Sequence, residues 1–259
     1  MKLELRRVTV QSPRAANAQQ SWPERQSLLI RVSDPQGRAG VGEASPLPGY
    51  SPDTLDEVEQ ALTRLELGAL ERALEQAPTL DVLRATGALA PPALPSARMA
   101  LETAALDYLG QRDGGAAPAL LGAAAGSERP LAELVGSALA ADFPALCERA
   151  VHAGFRHLKV KLGVRGQLEA ELIALQATAA RFGKAVSWRL DANGALQQAE
   201  VEQVGAVLTG LELELFEEPG VLTSAAPLPF PLALDESLQR LDVASALERL
   251  GALGARFAV

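Results

Sequence analysis

"FRHLKVKLG", residues 155–163, decides how the chain is read. It has the length and apolar content of a buried strand, yet it carries two lysines. Alternate residues of a strand point to one face. Lys159 and Lys161 therefore project side by side, with His157 one step deeper, while Leu158, Val160 and Leu162 take the other face. The surrounding sequence repeats the pattern. Before it come a strand, "LAELVGSAL", and a helix, "FPALCERAVHAG". After it come the helix "QLEAELIALQATAARFG", the strand "AVSWRLDANG", the helix "QQAEVEQVGAVLTG" and the strand "LELELFEEP". The strand "PLALDES", the helix "DVASALERLGALG" and a sixth strand, "ARFAV", complete the run. Strict alternation of strand and helix predicts a parallel sheet with right-handed crossovers. No G-x-G-x-x-G follows a strand and no Walker A sequence occurs, so neither a dinucleotide fold nor a P-loop is supported. The expected fold class is α/β. Residues 1–128 form an α+β domain, and residues 129–259 form a TIM-like (β/α) barrel that the chain leaves within its sixth strand.

The first half has a different rhythm. "LELRRVTV", "QSLLIRVSD" and "RAGVGEAS" read as three strands, the last two joined by the turn "DPQG" at 34–37. The loop "GEASPLPGYSP" follows, stiffened by prolines. Thr54 and Glu57 have capping-box spacing, and Leu55, Val58, Leu62 and Leu65 recur at helical period. Ser96 opens a further helix, "ARMALETAALDYLG", whose small residues permit close packing, and Gly114 and Gly115 end it.

Composition narrows the function. Of 259 residues 48% are hydrophobic, enough for a sizeable core. The net charge of −8 argues against nucleic acid or an anionic membrane as the main partner. Cys147 is the only cysteine, which rules out an internal disulfide and a cysteine metal cluster and suits a reducing cytoplasm. "MKLELRRVTV" lacks the apolar stretch of a signal peptide, and no apolar run reaches the ~20 residues of a membrane span.

The ends of the strands carry the chemistry. The second strand ends with Lys159 and Lys161, the third with Asp191, the fourth with Glu217 and Glu218, the fifth with Asp235 and Glu236. Singly, K-x-K reads as surface charge, D-A-N-G as a turn and E-E-P as a strand end. Their succession at four consecutive strand ends is another matter, because a barrel gathers its C-terminal strand ends into one rim, where barrel active sites lie. Converging carboxylates repel one another, and a divalent cation removes the conflict. An oxygen-only ligand set favours Mg²⁺, with Mn²⁺ as the alternative. Alternation turns Glu217 inward with Leu213 and Leu215, and Asp235 with Ala233, leaving Glu218 and Glu236 to support them. A desolvated lysine beside a metal and another lysine has its pKa lowered and can act as a base. A lysine base with Mg²⁺ is the arrangement described for enolase-type proton abstraction next to a carboxylate. The expected partner is thus a small carboxylate substrate.

The order "KVKLG … RLDANG … FEEP … LALDES" resembles the muconate-lactonizing-enzyme branch of the enolase superfamily, and the first half is similar to that family's capping domain. Within the branch, "GEASPLPGYSPDTLDE" is similar to the capping loop of o-succinylbenzoate synthases. The resemblance implies that Lys161 removes the α-proton and that Lys159 orients the substrate and stabilises the enediolate. It implies Asp191, Glu217 and Asp235 as metal ligands, and Gly49, Tyr50 and Ser51 as substrate contacts on a mobile loop. The implied reaction is dehydration of 2-succinyl-6-hydroxy-2,4-cyclohexadiene-1-carboxylate to 2-succinylbenzoate, in menaquinone synthesis. N-acylamino acid racemisation and dipeptide epimerisation use the same groups and are the alternatives. The family pattern also has an aromatic after D-A-N-G, where this chain has Ala195 and Leu196, and a lysine at the end of the sixth strand. Ending at Val259 inside that strand, residues 1–259 alone are expected to be an inactive fragment.

Overall fold

The computed structural model describes residues 1–12, 20–75, 78–122, 130–208, 210–220, 222, 228–238, 241 and 243–258. The chain divides into two compact units. One is drawn from the first 128 residues; the other runs from residue 129 onward and takes in Gln20 and Ser21.

In the first unit β1 (Lys2–Gln11), β2 (Glu24–Ser33) and β3 (Ala39–Ala44) form an antiparallel sheet in that order. The predicted turn joins β2 to β3, with the Asp34 amide on the Arg38 carbonyl at 3.0 Å. Among the described residues the helices that follow are α1 (Leu55–Thr63), α2 (Leu67–Glu75), α3 (Thr79–Gly87), α4 (Pro95–Asp113) and α5 (Ala117–Leu120). The capping box forms at α1, where the Thr54 hydroxyl accepts from the Glu57 amide and Glu57 accepts from the Thr54 amide. Leu65 falls beyond the end of this helix.

Leu28, Ile30 and Val32 of β2 are buried against α4, which contributes Ala97, Ala100, Leu101, Ala104 and Leu109. The alanines serve a close approach. A Cβ at Gly42 on β3 would stand 2.0 Å from the Ala100 carbonyl oxygen, and one at Gly40 2.0 Å from that of Ala104. Only glycine lets the strand lie against the helix backbone. Helix α4 begins one residue before the expected Ser96, with Pro95 in its first turn. Buried Asp53 accepts from the Ser96 amide at 2.8 Å and from its hydroxyl at 2.9 Å. Gly114, at φ 72°, caps the far end.

The second unit alternates as predicted: β4 (Ala132–Ser137), α6 (Phe143–His152), β5 (His157–Lys161), α7 (Leu168–Ala179), β6 (Ser187–Asp191) and α8 (Gln198–Val207). It continues with β7 (Leu213–Glu217), β8 (Leu232–Leu234), α9 (Val243–Leu253) and β9 (Phe257–Ala258). The six strands among the described residues are parallel, and their order in the sheet is their order in the chain. A doubly wound sheet reverses direction at a switch point; this one does not, and it has the succession of a barrel wall. Leu158, Val160, Trp188, Leu190 and Phe216 are completely buried, in one core with Phe143, Leu172, Leu175, Val201 and Val204 of the helices. The opposite face of the strands carries the charged side chains.

One irregularity changes that face. Trp188 pairs with Leu213 and Arg189 with Leu215, so Glu214 is an extra residue bulged out of the ladder. Strict alternation would send Glu214 away from Glu217. The bulge instead turns Glu214 to the lysine side, where it meets His157 and Arg189.

Candidate active site

The parallel register alone brings several charges together. Lys161 pairs with Asp191 across β5 and β6, and Asp191 with Glu217 across β6 and β7. The side chains follow. Lys159 Nζ lies 3.0 Å from Asp191 Oδ2 and 2.7 Å from Glu217 Oε2. Lys161 Nζ donates to Asp191 Oδ2 at 3.3 Å and to Asn193 Oδ1 at 3.1 Å. Asp191 and Glu217 are buried, and the two lysines are partly covered.

Burial would lower the pKa of Lys159. The charges of Asp191 and Glu217, with their hydrogen bonds, outweigh it and hold the ammonium above the ordinary lysine value. The strand-end pattern predicts a lysine lowered by metal and like charge. In this arrangement Lys159 is instead a firm cation clamped by two carboxylates. Glu217 is raised by burial and by Asp191, in part offset by Lys159. Asp235, just past β8, is pushed up to about 7 by burial first and then by Glu236, Glu217 and Asp191.

The two carboxylates expected in support are placed by the loops. Glu218, at φ 36°, is buried, and its Oε1 accepts from the Asp235 amide at 2.8 Å, the Ser237 amide at 2.9 Å and the Ser237 hydroxyl. It therefore fixes the start of the loop that carries Asp235. Glu236 Oε1 accepts from Asn193 Nδ2 at 2.8 Å. The strand-end pattern does not single out Asn193, although it joins Lys161 to Glu236. Its signal is the left-handed backbone (φ 45°) that Asn tolerates ahead of a glycine.

Beneath this layer lies another. Glu214 takes both Nε and Nη2 of Arg189 at 2.8 Å and faces His157 Nδ1 at 2.7 Å. The arginine first, then the histidine, hold the Glu214 carboxyl below its ordinary range against the effect of burial. His157 thus belongs to a layer of paired charges with Glu214 and Arg189.

The donor set suits a hard divalent cation. Asp191, Glu217 and Asp235 are oxygen donors from three neighbouring strand ends, and their mutual repulsion is what a cation would relieve. Among the described residues no three His, Cys, Asp or Glu side chains are drawn tightly enough to enclose a metal as they stand. The Lys159 ammonium lies between Asp191 and Glu217, so a cation shared by these two carboxylates would have to displace it.

Gly49, Tyr50 and Ser51 lie in the first unit, in a loop closed by local contacts. The Ser51 hydroxyl receives the Leu47 amide at 2.9 Å, the Tyr50 amide donates to the Leu47 carbonyl at 3.1 Å, and Gly49 is at φ 75°. Trp22 stacks edge-on against Tyr50 and donates Nε1 to the Pro48 carbonyl at 3.0 Å. No described helix is long and apolar enough to cross a membrane.

Residues 142–255 match the family described as enolase C-terminal domain-like. An o-succinylbenzoate synthase of Thermosynechococcus vestitus is 29% identical over 231 residues, covering 85% of this chain and 63% of that protein. An L-Ala-D/L-Glu epimerase of Bacillus subtilis is 29% identical over 203 residues, covering 75% of this chain and 52% of that protein. The chain thus spans between half and two thirds of the length of these curated relatives. Among solved structures, the o-succinylbenzoate synthase of Thermosynechococcus elongatus, complexed with Mg in its active site, aligns over 99% of this chain and 75% of its own at TM-score 0.68 and 24% identity.

Proposed function

We propose that this chain, whose residues 142–255 match the enolase C-terminal domain-like family, is a member of the enolase superfamily and carries the active site of an o-succinylbenzoate synthase. The reaction is Mg²⁺-dependent dehydration of 2-succinyl-6-hydroxy-2,4-cyclohexadiene-1-carboxylate to 2-succinylbenzoate, a step of menaquinone synthesis. The observation that carries this reading is the convergence of Lys159 and Lys161 on Asp191 and Glu217, with Asp235 in the same field of charge. Sequence similarity to a synthase over most of the chain supports it.

Asp191, Glu217 and Asp235 would hold the metal, with Mn²⁺ as substitute. Bound there, it supplies positive charge to stabilise the negative charge that develops on the substrate carboxylate. Lys161, at the rim and bonded to only one of the carboxylates, takes the α-proton. Lys159 stays protonated and pairs with the developing enediolate. Collapse of that electron pair forms the ring double bond and breaks the bond to the 6-hydroxyl, which takes up the proton held by Lys161 and leaves as water. Aromaticity drives the step. Gly49, Tyr50 and Ser51 are assigned to substrate discrimination.

Similarity to an epimerase favours another reading, in which the same proton is removed and returned on the opposite face. The test is to incubate the full-length gene product with Mg²⁺ and either the cyclohexadiene carboxylate or L-Ala-L-Glu in deuterated water. Formation of 2-succinylbenzoate without deuterium entering the dipeptide is the expected result. Deuterium at the dipeptide α-carbon without dehydration would replace the synthase with the epimerase.

A further inference from the structure

Glu171 is a buried carboxylate that the chemistry above does not use. It lies in the first turn of α7 and is completely shielded from solvent. Its two oxygens accept backbone amides of the β5–α7 loop, Gly163 N at 2.9 Å and Val164 N at 3.3 Å. Gly163 is two residues past Lys161, and Leu162 between them donates its amide to the Asp191 carbonyl at 2.8 Å. The loop is also held from the other side. Gly163 has φ +94°, and a Cβ there would lie 2.8 Å from Ala195 Cβ and 3.3 Å from the Ala192 carbonyl oxygen. That neighbouring loop carries Asn193, the other partner of Lys161. The chain leaving Lys161 is thus pinned between a buried carboxylate and the loop that receives the lysine's hydrogen bond.

Burying a carboxylate is unfavourable unless something specific is gained, and here burial raises the Glu171 carboxyl against the two amides that lower it. A neutral apolar residue would fill the same space without that penalty. We propose that Glu171 is a positioning residue for Lys161. By fixing the Gly163 and Val164 amides, it sets where the lysine's strand ends and so where Nζ points. The inference deepens the proposed proton abstraction and rests on it for its kinetic arm only.

The test compares Glu171→Met, which fills the space without accepting a hydrogen bond, with Glu171→Gln, which keeps one acceptor, in the full-length gene product. Three readouts need no turnover: amide hydrogen exchange at Gly163 and Val164, acetylation of Lys161 relative to Lys159 followed by mass spectrometry, and Mn²⁺ affinity by electron paramagnetic resonance. In Glu171→Met the two amides exchange about tenfold faster or more, as expected for a lost hydrogen bond. The Lys161 to Lys159 labelling ratio shifts, and Mn²⁺ affinity holds. Where dehydration is measurable, kcat falls about ten- to a hundredfold with KM little changed, as for a misplaced catalytic group. Glu171→Gln restores slow exchange at one of the two amides and part of the labelling and kinetic effects. Should Glu171→Met fail to fold, Glu171→Asp, too short to reach both amides, takes its place. Faster amide exchange with an unchanged labelling ratio and unchanged kcat would reduce Glu171 to a structural latch and overturn the proposal. So would a Gln variant no better than Met. A wild-type protein that binds Mn²⁺ but dehydrates nothing would contradict the synthase reading alone, since labelling and exchange still decide the role of Glu171.

Discussion

Lys159 and Lys161 share a strand face, yet their surroundings divide them. Lys159 is held between Asp191 and Glu217, whereas Lys161 bonds Asp191 and the neutral amide oxygen of Asn193. A lysine held between two carboxylates keeps its proton, which is why the proposed proton abstraction is assigned to Lys161. The carboxylates make their own prediction. Asp191→Asn, Glu217→Gln and Asp235→Asn should each weaken Mn²⁺ binding at least about tenfold, read by electron paramagnetic resonance. Unchanged affinity in all three would remove the metal from the account. These five residues are legible in the sequence because they end consecutive strands and alternation gives their face. Asn193 and Glu171 are not. Asn193 acts from a turn whose left-handed conformation is invisible as charge pattern. In the sequence Glu171 is one more acidic residue in a helix's first turn, and only the fold shows two backbone amides aimed at it.

At the level of elements, close approaches make the sharpest predictions. Gly42→Ala should destabilise the first unit by about 3 kcal/mol, measured by urea unfolding, because its Cβ would meet the Ala100 carbonyl and neither backbone can retreat. A cost near zero would mean that β3 and α4 are not so close. The β2–β3 turn carries a pH prediction. Asp34 accepts from Arg38 and Tyr108, and although burial pushes its carboxyl up, those bonds hold it below the ordinary 3.8. A carboxyl lowered in the folded state adds stability above its unfolded value and loses it as pH falls through the folded one. Thermal unfolding of the wild type should therefore weaken below about pH 4 more steeply than that of Asp34→Asn. Equal slopes would show that the turn does not contribute. Periodicity locates the three strands, α1, α4 and the described strands and α-helices of the second unit. It passes over α2 and α3, neither of which has the capping box that marks the equally short α1. It also misses the bulge at Glu214, since an extra residue inverts alternation without changing composition.

For the whole molecule, the order of the parallel strands matters more than any one contact. Six strands succeeding one another without reversal keep all their C-terminal ends on one side, and that side is where the lysines and carboxylates meet. The apolar face packs on helices, so the charged face is left for chemistry. Fold and sidedness are readable from the βα rhythm; the choice among related reactions is not, because proton abstraction beside a carboxylate is common to all of them. The central claim is that Lys161 is the base of a metal-dependent dehydration. Its most direct test is formation of 2-succinylbenzoate by the full-length gene product with Mg²⁺, compared between wild type and Lys161→Ala, with Mn²⁺ affinity measured on both. The account predicts a rate that falls about a thousandfold in the variant while metal affinity stays within a few fold. A Lys161→Ala protein that forms product at the wild-type rate, or a wild type that binds the metal and forms none, would contradict it.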